Sequence, residues 1–268
     1  MSRKPLYLTL PLAAALALSG CSASGSASED SPAAASPSSS AAEASSSART
    51  VDAGSSTAPA SPEASSRAGN NAALSDAQLK KAVTAYFDGK TGVQIMSGET
   101  LRAQAGAAGA MVEGMKISPE KCNSAQGIDI EEELKKNNIA VGTYPNPDNP
   151  MQTFTLTVMS AGDPAQTQAK FDEGVDALDD CKNMDVEVMG IKTTMKMQEA
   201  TVKTDAPSAL ALQTVTTVQD TKIPGTNVSL LDDGIQVQLQ IQGEESDQES
   251  LQHIADEAQR VLDTLKSA

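Results

Sequence analysis

The feature that most constrains the fold is a period-two alternation of apolar and polar residues between residues 183 and 243. It is clearest in GIQVQLQIQG, where Ile235, Val237, Leu239 and Ile241 alternate with glutamines, and it recurs in MDVEVMGI, TTMKMQEATVKT, ALALQTVTTV and NVSLL. Such alternation is typical of strands with one buried face. Because the connections between these segments are short, we predict an antiparallel meander with one solvated face.

Turn residues and further alternating segments extend this prediction. Asp233-Gly234 is a typical hairpin turn, and Pro224-Gly225 predicts another turn before NVSLL. Upstream, QTFTLTV alternates apolar residues with threonines, and NIAVGTY is a weaker strand candidate.

Three segments predict helices through their capping residues. LSDAQLKKAVTAYFDGKTG begins with Ser75 and has Gln78 three residues later, a capping box. GDPAQTQAKFDEGVDALDDCKN offers Asp163 as the N-cap, followed by a proline at the first helical position. ESDQESLQHIADEAQRVLDTLK predicts a second capping box from Ser246 and Glu249. Its buried stripe should contain Leu251, Ile254, Ala255, Ala258, Val261, Leu262 and Leu265. The predicted fold class is α+β, a single antiparallel β-sheet packed against α-helices.

The N-terminus has the pattern of an export signal. Arg3 and Lys4 precede an apolar run from Pro5 to Leu18, and LSGC places small residues directly before Cys21. This resembles the bacterial lipobox, in which the signal is cut before a cysteine that then carries acyl chains such as palmitate. An ordinary signal peptide with a chance cysteine is the alternative. We therefore predict a signal peptide at 1–20 and a lipid anchor at Cys21, which places the protein on the extracellular face of the cell membrane.

The next segment differs in composition from everything that follows it. Residues 22–73 are mostly Ser and Ala and show no apolar periodicity, so they cannot bury enough apolar surface to offset their ordering entropy. We predict a disordered tether at 21–73, with a root-mean-square span on the order of 40 Å, and a globular sensor-like domain at 74–268.

The charge of the chain excludes some classes of partner. The formal net charge is −15, and removing residues 1–20, which contain two basic and no acidic residues, lowers it to −17. An acidic chain of this kind is a poor partner for nucleic acid and for anionic lipid surfaces, so we expect no nucleic acid partner.

Cysteine parity predicts one internal disulfide. The chain has three cysteines, and if lipidation uses Cys21, then Cys122 and Cys181 remain as a pair in an oxidising compartment. A zinc site is the rival interpretation, but the only histidine is His253, and finger-like ligand spacing is absent. A cysteine nucleophile would need a positioned base, and His253 falls on the predicted exposed face of its helix.

Several fragments imitate functional motifs. Ser118 to Lys121 has the S-x-x-K pattern and Lys90-Thr91-Gly92 the K-T-G pattern of penicillin-binding enzymes, but their order is reversed, and Ser118 with Pro119 is better explained as a helix start. The consecutive carboxylates of 129–133 would splay on a helix rather than converge on calcium. In YPNPDNP, turn chemistry accounts for the polar side chains. We expect no metal, no cofactor and no catalytic residues.

Methionine is the unusual component of the composition. The chain has ten methionines and no tryptophan. Core filling in an aromatic-poor domain is the default interpretation, and an apolar groove lined by exposed methionines is the alternative.

The order of these segments resembles a known family. SPEKC at 118–122, a strand pair, a helix that carries Cys181 near its end, several strands and a terminal helix together resemble the extracellular sensor domain of mycobacterial PknH-type kinases. Stand-alone lipoproteins of actinobacteria share that domain. The resemblance covers roughly 91–266 and implies a Cys122–Cys181 disulfide, a sheet backed by helices, and a cleft for an unidentified ligand.

The sequence thus favours a non-catalytic, membrane-anchored lipoprotein with a ligand-binding or sensor-like domain. Its partners would be the membrane, through Cys21, and an unknown small ligand or envelope protein. The alternatives are a carrier or chaperone of lipid or other apolar cell-envelope molecules, which needs a large apolar cavity, and a protein adaptor for cell-wall enzymes.

Overall fold

The computed structural model describes residues 73–123 and 130–268. The predicted signal peptide, the predicted lipidation site Cys21 and most of the predicted tether lie outside these residues. Within the described ranges the chain forms five α-helices: α1 (Asp76–Tyr86), α2 (Gly98–Glu113), α3 (Ile130–Lys136), α4 (Pro164–Cys181) and α5 (Gln248–Lys266). The strands are β1 (Gln94–Ser97), β2 (Lys116–Ser118), β3 (Asn137–Pro145), β4 (Thr153–Ala161), β5 (Asn183–Val188), β6 (Ile191–Ala200), β7 (Ser208–Val218), β8 (Thr221–Asp232) and β9 (Ile235–Gln242).

The strands form a single antiparallel sheet with the order β1-β3-β4-β9-β8-β7-β6-β5-β2. Strands β5 to β9 are neighbours in the order in which they follow along the chain, so the predicted meander is confirmed. The predicted α+β class, with one sheet packed against helices, is confirmed as well. The short strands β1 and β2 occupy the two edges, which leaves little unpaired backbone for pairing with other chains.

Two-residue turns connect β5 to β6, β7 to β8 and β8 to β9, whereas residues 201–207 connect β6 to β7; one predicted turn is wrong. Asp233-Gly234 joins β8 to β9 with both residues at positive φ, as type I′ hairpins require. Pro224-Gly225, however, lies inside β8, where the two residues pair with Val215 and Thr214 of β7. The turn that precedes β8 is instead Gln219-Asp220, with φ angles of 48° and 70°. Asp tolerates this left-handed backbone better than most residues, which explains a turn without glycine.

One face of the sheet, here called the front face, carries the main core. Helices α1 and α5 pack on it and bury Leu79 and Val83 from α1 and the whole predicted stripe of α5. The strand residues beneath them are Ala140, Leu156, Val158, Ala211, Val228, Leu230, Val237 and Leu239. This alternation along β4, β8 and β9 is the period-two pattern of the sequence.

The opposite face, here called the back face, is covered in separate parts. Helices α2 and α3 bury Leu101, Ile130 and Leu134 against Ile139 and Val141 of β3. Helix α4 crosses further along, where Gln168 donates a hydrogen bond to the Ser208 hydroxyl (2.8 Å). The glutamines of β9 point to this face, so it is the more polar of the two.

Two predicted helix starts are confirmed and two are wrong. The Ser75–Gln78 capping box and the Asp163 cap are present as predicted. Helix α5 is capped by Asp247, whose carboxylate accepts the Ser250 N–H (2.8 Å), because the Ser246 hydroxyl is instead bonded to Thr226 (2.8 Å).

The other wrong start is that at Ser118. This residue ends β2 and pairs with Asp185, and Pro119 leads only into a single 3-10 turn, Glu120–Cys122. The pairing of β2 with β5 keeps Ser118 in extended backbone, so its side chain caps no helix.

Within the described residues, no helix is both long enough and apolar enough to cross a membrane.

Candidate functional site

A pocket with a volume of about 300 Å³ opens between the front face and helices α1 and α5. Its floor consists of Tyr144, Phe154, Leu239 and Ile241, from the neighbouring strands β3, β4 and β9. Tyr144 lies directly opposite Phe154, and Phe154 lies opposite Ile241, so sheet register alone brings these side chains together. We call this cavity the aromatic pocket.

Four of the six aromatic residues of the chain line this pocket. Tyr86 and Phe87 meet edge to face with their ring centroids 4.8 Å apart. Phe87 lies 6.3 Å from Tyr144, which lies 5.9 Å from Phe154. These distances fall in the range of favourable aromatic pairs, so the four rings form a continuous apolar wall.

The position of Phe87 depends on a glycine in β3. A Cβ at Gly142 would stand 2.5 Å from Cγ1 of Val83 and 2.7 Å from Cε2 of Phe87. Only a residue without a side chain lets helix α1 approach the sheet this closely at its C-terminal end. Gly142 therefore fixes one wall of the aromatic pocket.

Helix α5 forms the opposite wall with His253, Ile254 and Glu257. The apolar Ile254 is buried, whereas the His253 side chain is 71% exposed. Because residues three and four apart lie on one side of a helix, His253 and Glu257 line the rim together, with Nε2 and Oε1 3.7 Å apart.

The charges on this wall are internally balanced. Glu257 forms a salt bridge with Arg260. Burial, reinforced by the negative charge of Glu257, raises the pKa of Tyr86 to about 12. The Tyr86 phenol therefore stays protonated at physiological pH and offers its hydroxyl as a hydrogen-bond donor.

A lysine stands at the entrance on the α1 side. Lys90 Nζ lies 5.6 Å from the centroid of the Tyr144 ring, within cation–π range. In the part of the chain that the structure describes, no carboxylate lies within 4.0 Å of this ammonium group. The pocket therefore combines an apolar aromatic interior with a rim that carries hydrogen-bond donors and one cation, an arrangement typical of sites for small amphipathic molecules.

The predicted cysteine pair forms a disulfide at the other end of the sheet. The Cys122 and Cys181 sulfurs are 2.11 Å apart, and both residues are buried among Ile117, Met184 and Val186. We call this group the disulfide cluster. It lies on the back face beside β5 and β2, away from the aromatic pocket, so its role is structural.

The remaining predicted positions are engaged in local structure. Glu131 and Glu132 pair with Lys135 and Lys136 along α3, so these acidic residues form a solvated helix face. Asp129, also part of the acidic run, lies outside the described residues. In the YPNPDNP loop, Asn146 Oδ1 accepts the Asp148 N–H (3.0 Å), as turn chemistry predicts.

Most of the methionines that the structure describes fill gaps. Met184 is buried in the disulfide cluster, and Met115, Met195 and Met197 pack against it. Met189, at the tip of the β5–β6 hairpin, is 88% exposed. None of the residues that line the aromatic pocket is a methionine, so the pocket is not the methionine groove considered from the sequence.

Sequence reasoning missed the aromatic pocket, although one signal was present. TYPNPDNPMQTF places Tyr144 and Phe154 on either side of a turn-rich segment, and a hairpin there would pair them. His253 was correctly predicted to be exposed, but its place at the rim of a pocket depends on how α5 docks on the sheet.

Comparisons with known proteins give the following results. No protein-family model matches the chain, and no curated protein matches it. Among solved structures, the chain is similar to the extracellular domain of PknH from Mycobacterium tuberculosis, with 11% identity and a TM-score of 0.48 over 74% of this chain and 100% of that one. It is also similar to an uncharacterised Mycobacterium smegmatis protein, described as an Rv0999 ortholog, with 11% identity and a TM-score of 0.32 over 66% of this chain and 77% of that one. The function of the pocket therefore rests on its own residues.

Proposed function

We propose that this protein is an extracytoplasmic lipoprotein whose globular domain binds a small ligand without chemically changing it. The observation that carries this proposal is the aromatic pocket, in which four rings meet between the sheet and two helices. Its volume of about 300 Å³ lies at the lower end of the range of small-molecule sites. A protonated tyrosine and a glutamate paired with Arg260 offer polar contacts at the pocket that suit recognition of a ligand.

The proposed location follows from the N-terminal sequence. The lipobox-like LSGC motif supports acylation of Cys21, and the Ser- and Ala-rich segment would hold the domain away from the membrane. A Cys21→Ala variant should leave the membrane fraction, and the intact mass of the wild-type mature chain should exceed that of residues 21–268 by its acyl groups. A variant that stays membrane-bound without these groups would overturn the lipid anchor.

We also propose kinship with the PknH-type sensor domain. It is supported by the SPEKC segment together with a second cysteine 59 residues after the first. A lipoprotein of this kind would have to pass its signal through a membrane partner.

Ligand binding is tested with the full-length protein and indole as a neutral aromatic probe. Indole should shift the NMR resonances of Tyr144, Phe154 and Ile241, because aromatic stacking and apolar burial favour its entry. A Phe154→Ala variant should weaken binding, whereas Ile191→Ala, at an exposed site outside the pocket, should not. If indole at millimolar concentration left these resonances unmoved, the proposed binding function would be wrong.

A protein adaptor is the second candidate function. The β5–β6 hairpin presents Met189, 88% exposed, and Ile191, 48% exposed, as a small apolar tip. If this tip docks on an envelope protein, replacing both residues with serine should abolish crosslinks to that partner and leave indole binding unchanged. The third alternative, a carrier of apolar envelope molecules, requires a larger apolar cavity than the pocket of about 300 Å³.

A further inference from the structure

The position of Lys90 narrows the chemistry of the ligand. The residue follows Gly89, whose φ of 75° turns the chain back at the end of α1, and the Lys90 N–H bonds to the Phe87 carbonyl (3.0 Å). The backbone of Lys90 is thus fixed beside the pocket, while its side chain is exposed and reaches over Tyr144. The ammonium group therefore lies at the entrance.

The entrance of the aromatic pocket carries a positive charge, although the chain as a whole is acidic. The formal net charge is −15, so most of the surface attracts cations and repels anions. At the pocket, the nearest acidic lining residue, Glu257, is already paired with Arg260 and faces His253. The Lys90 ammonium group at the entrance thus has no carboxylate within 4.0 Å among the described residues.

We infer that the aromatic pocket selects a small planar aromatic acid, whose ring stacks against the four-ring wall and whose carboxylate pairs with Lys90. This inference rests on the proposed binding function and adds the class of ligand. A ligand carboxylate next to Lys90 would accept a charge-assisted hydrogen bond from its ammonium group, which is otherwise exposed to solvent. The lining also contains Tyr86, whose protonated hydroxyl is a second hydrogen-bond donor at the pocket.

A cationic aromatic ligand is the competing chemistry, because aromatic rings also bind ammonium groups. Lys90 already occupies the approach to the Tyr144 ring and would repel such a ligand. Glu257 is the acidic lining residue that would attract it, and Arg260 offsets part of that negative charge. Both observations favour the anion.

The test compares three indole derivatives that differ in charge: indole-3-acetate, indole-3-acetamide and tryptamine. Each is titrated into the full-length protein by calorimetry, with binding to the pocket verified from the NMR shifts of Tyr144 and Phe154. We expect the acid to bind about three- to tenfold more tightly than the amide, which is the range of one exposed ion pair, and the amine to bind most weakly. The preference should shrink at high salt.

Matched variants assign the preference to one side chain. Lys90→Met should make acid and amide bind equally, while Lys90→Arg should retain the preference. Lys81→Met removes the same charge from an exposed position within α1, outside the pocket lining, and should behave like the wild type.

The outcomes separate the two proposals. Equal binding of the three probes, or tighter binding of tryptamine, would overturn the inference but leave the binding function standing. Absence of binding by all three, and by indole itself, would overturn both. A preference for the acid that survived Lys90→Met would overturn the assignment to Lys90.

Discussion

Tyr86 makes the stability of the domain sensitive to alkaline pH. Burial raises its pKa from 10.0 to about 12, so the folded state holds the phenolic proton more tightly than the unfolded chain does. This contribution is complete below about pH 10 and is lost as the pH rises towards 12, and at pH 11 the loss should be at most about 1.4 kcal/mol. The free energy of unfolding, measured in urea, should therefore fall further between pH 9 and 11 for the wild type than for Tyr86→Phe.

The phenylalanine variant keeps the ring and removes only the titrating hydroxyl. Between pH 6 and 9 the two proteins should differ in stability by a constant amount, which serves as the internal control. Curves that stay parallel up to pH 11 would contradict a perturbed phenol.

At the scale of single residues, the sequence predicts the role of a side chain well when its hydrogen-bond partners are close in sequence. Ser75 and Gln78 close their capping box within one turn, so local sequence suffices to find it. Ser246 fails as a cap because Thr226, twenty residues away, takes its hydroxyl, and Asp247 is the next available acceptor. Such a competition between a local and a distant partner cannot be seen in the local pattern.

At the scale of elements, Gly142 controls how closely α1 approaches β3. Gly142→Ala should place a methyl group against the Val83 and Phe87 side chains, which are buried and cannot move away freely. We expect a loss of about 1–3 kcal/mol in the free energy of unfolding, with shifted NMR resonances of the Phe87 ring.

A matched glycine serves as the control for this change. Gly106 lies on the exposed side of α2, and a Cβ there would meet no atom within 4 Å. Gly106→Ala should instead raise the free energy of unfolding by about 0.5–1 kcal/mol, because alanine favours helix. If both alanine variants changed stability in the same direction, the proposed crowding at Gly142 would be wrong.

Element prediction succeeded where periodicity was strong and failed where it was weak. The meander strands and α5 have clear two- and 3.6-residue patterns, and all of them are present. Helix α2, GETLRAQAGAAGAMVE, consists largely of small residues and shows no strong apolar stripe, so it was missed. In β8, Pro224-Gly225 imitates a turn, but pairing with β7 on one side and β9 on the other holds it extended.

At the scale of the whole molecule, the candidate site is assembled from segments that are far apart in sequence. Residues 86–90, 144–154 and 239–257 each supply part of the aromatic pocket. The chain has only six aromatic residues, a composition that offers few stacking surfaces. The pairing of β3 with β4 brings Tyr144 and Phe154 together, and the C-terminal end of α1 adds Tyr86 and Phe87, so four of the six lie at one place.

The topology of the sheet separates the aromatic pocket from the disulfide cluster, and this separation gives a prediction for the whole domain. The disulfide cluster lies beside β5 and β2, and strands β8, β7 and β6 stand between it and the floor of the aromatic pocket. With about 4.8 Å between neighbouring strands, the two regions are roughly 20 Å apart. Loss of the disulfide should therefore affect the structure of the aromatic pocket only by unfolding the whole domain.

Replacing both Cys122 and Cys181 with alanine tests this separation. The disulfide closes a loop of 59 residues, and in the chain-entropy model its removal costs about 4 kcal/mol. Urea unfolding should show that loss, while indole binding to the protein that remains folded should stay within about twofold of the wild type. A reducing agent should destabilise the wild type and leave the double variant unchanged. If the folded variant lost indole binding, the two ends of the sheet would be coupled, and if reduction had no effect on the wild type, the disulfide would not support the fold.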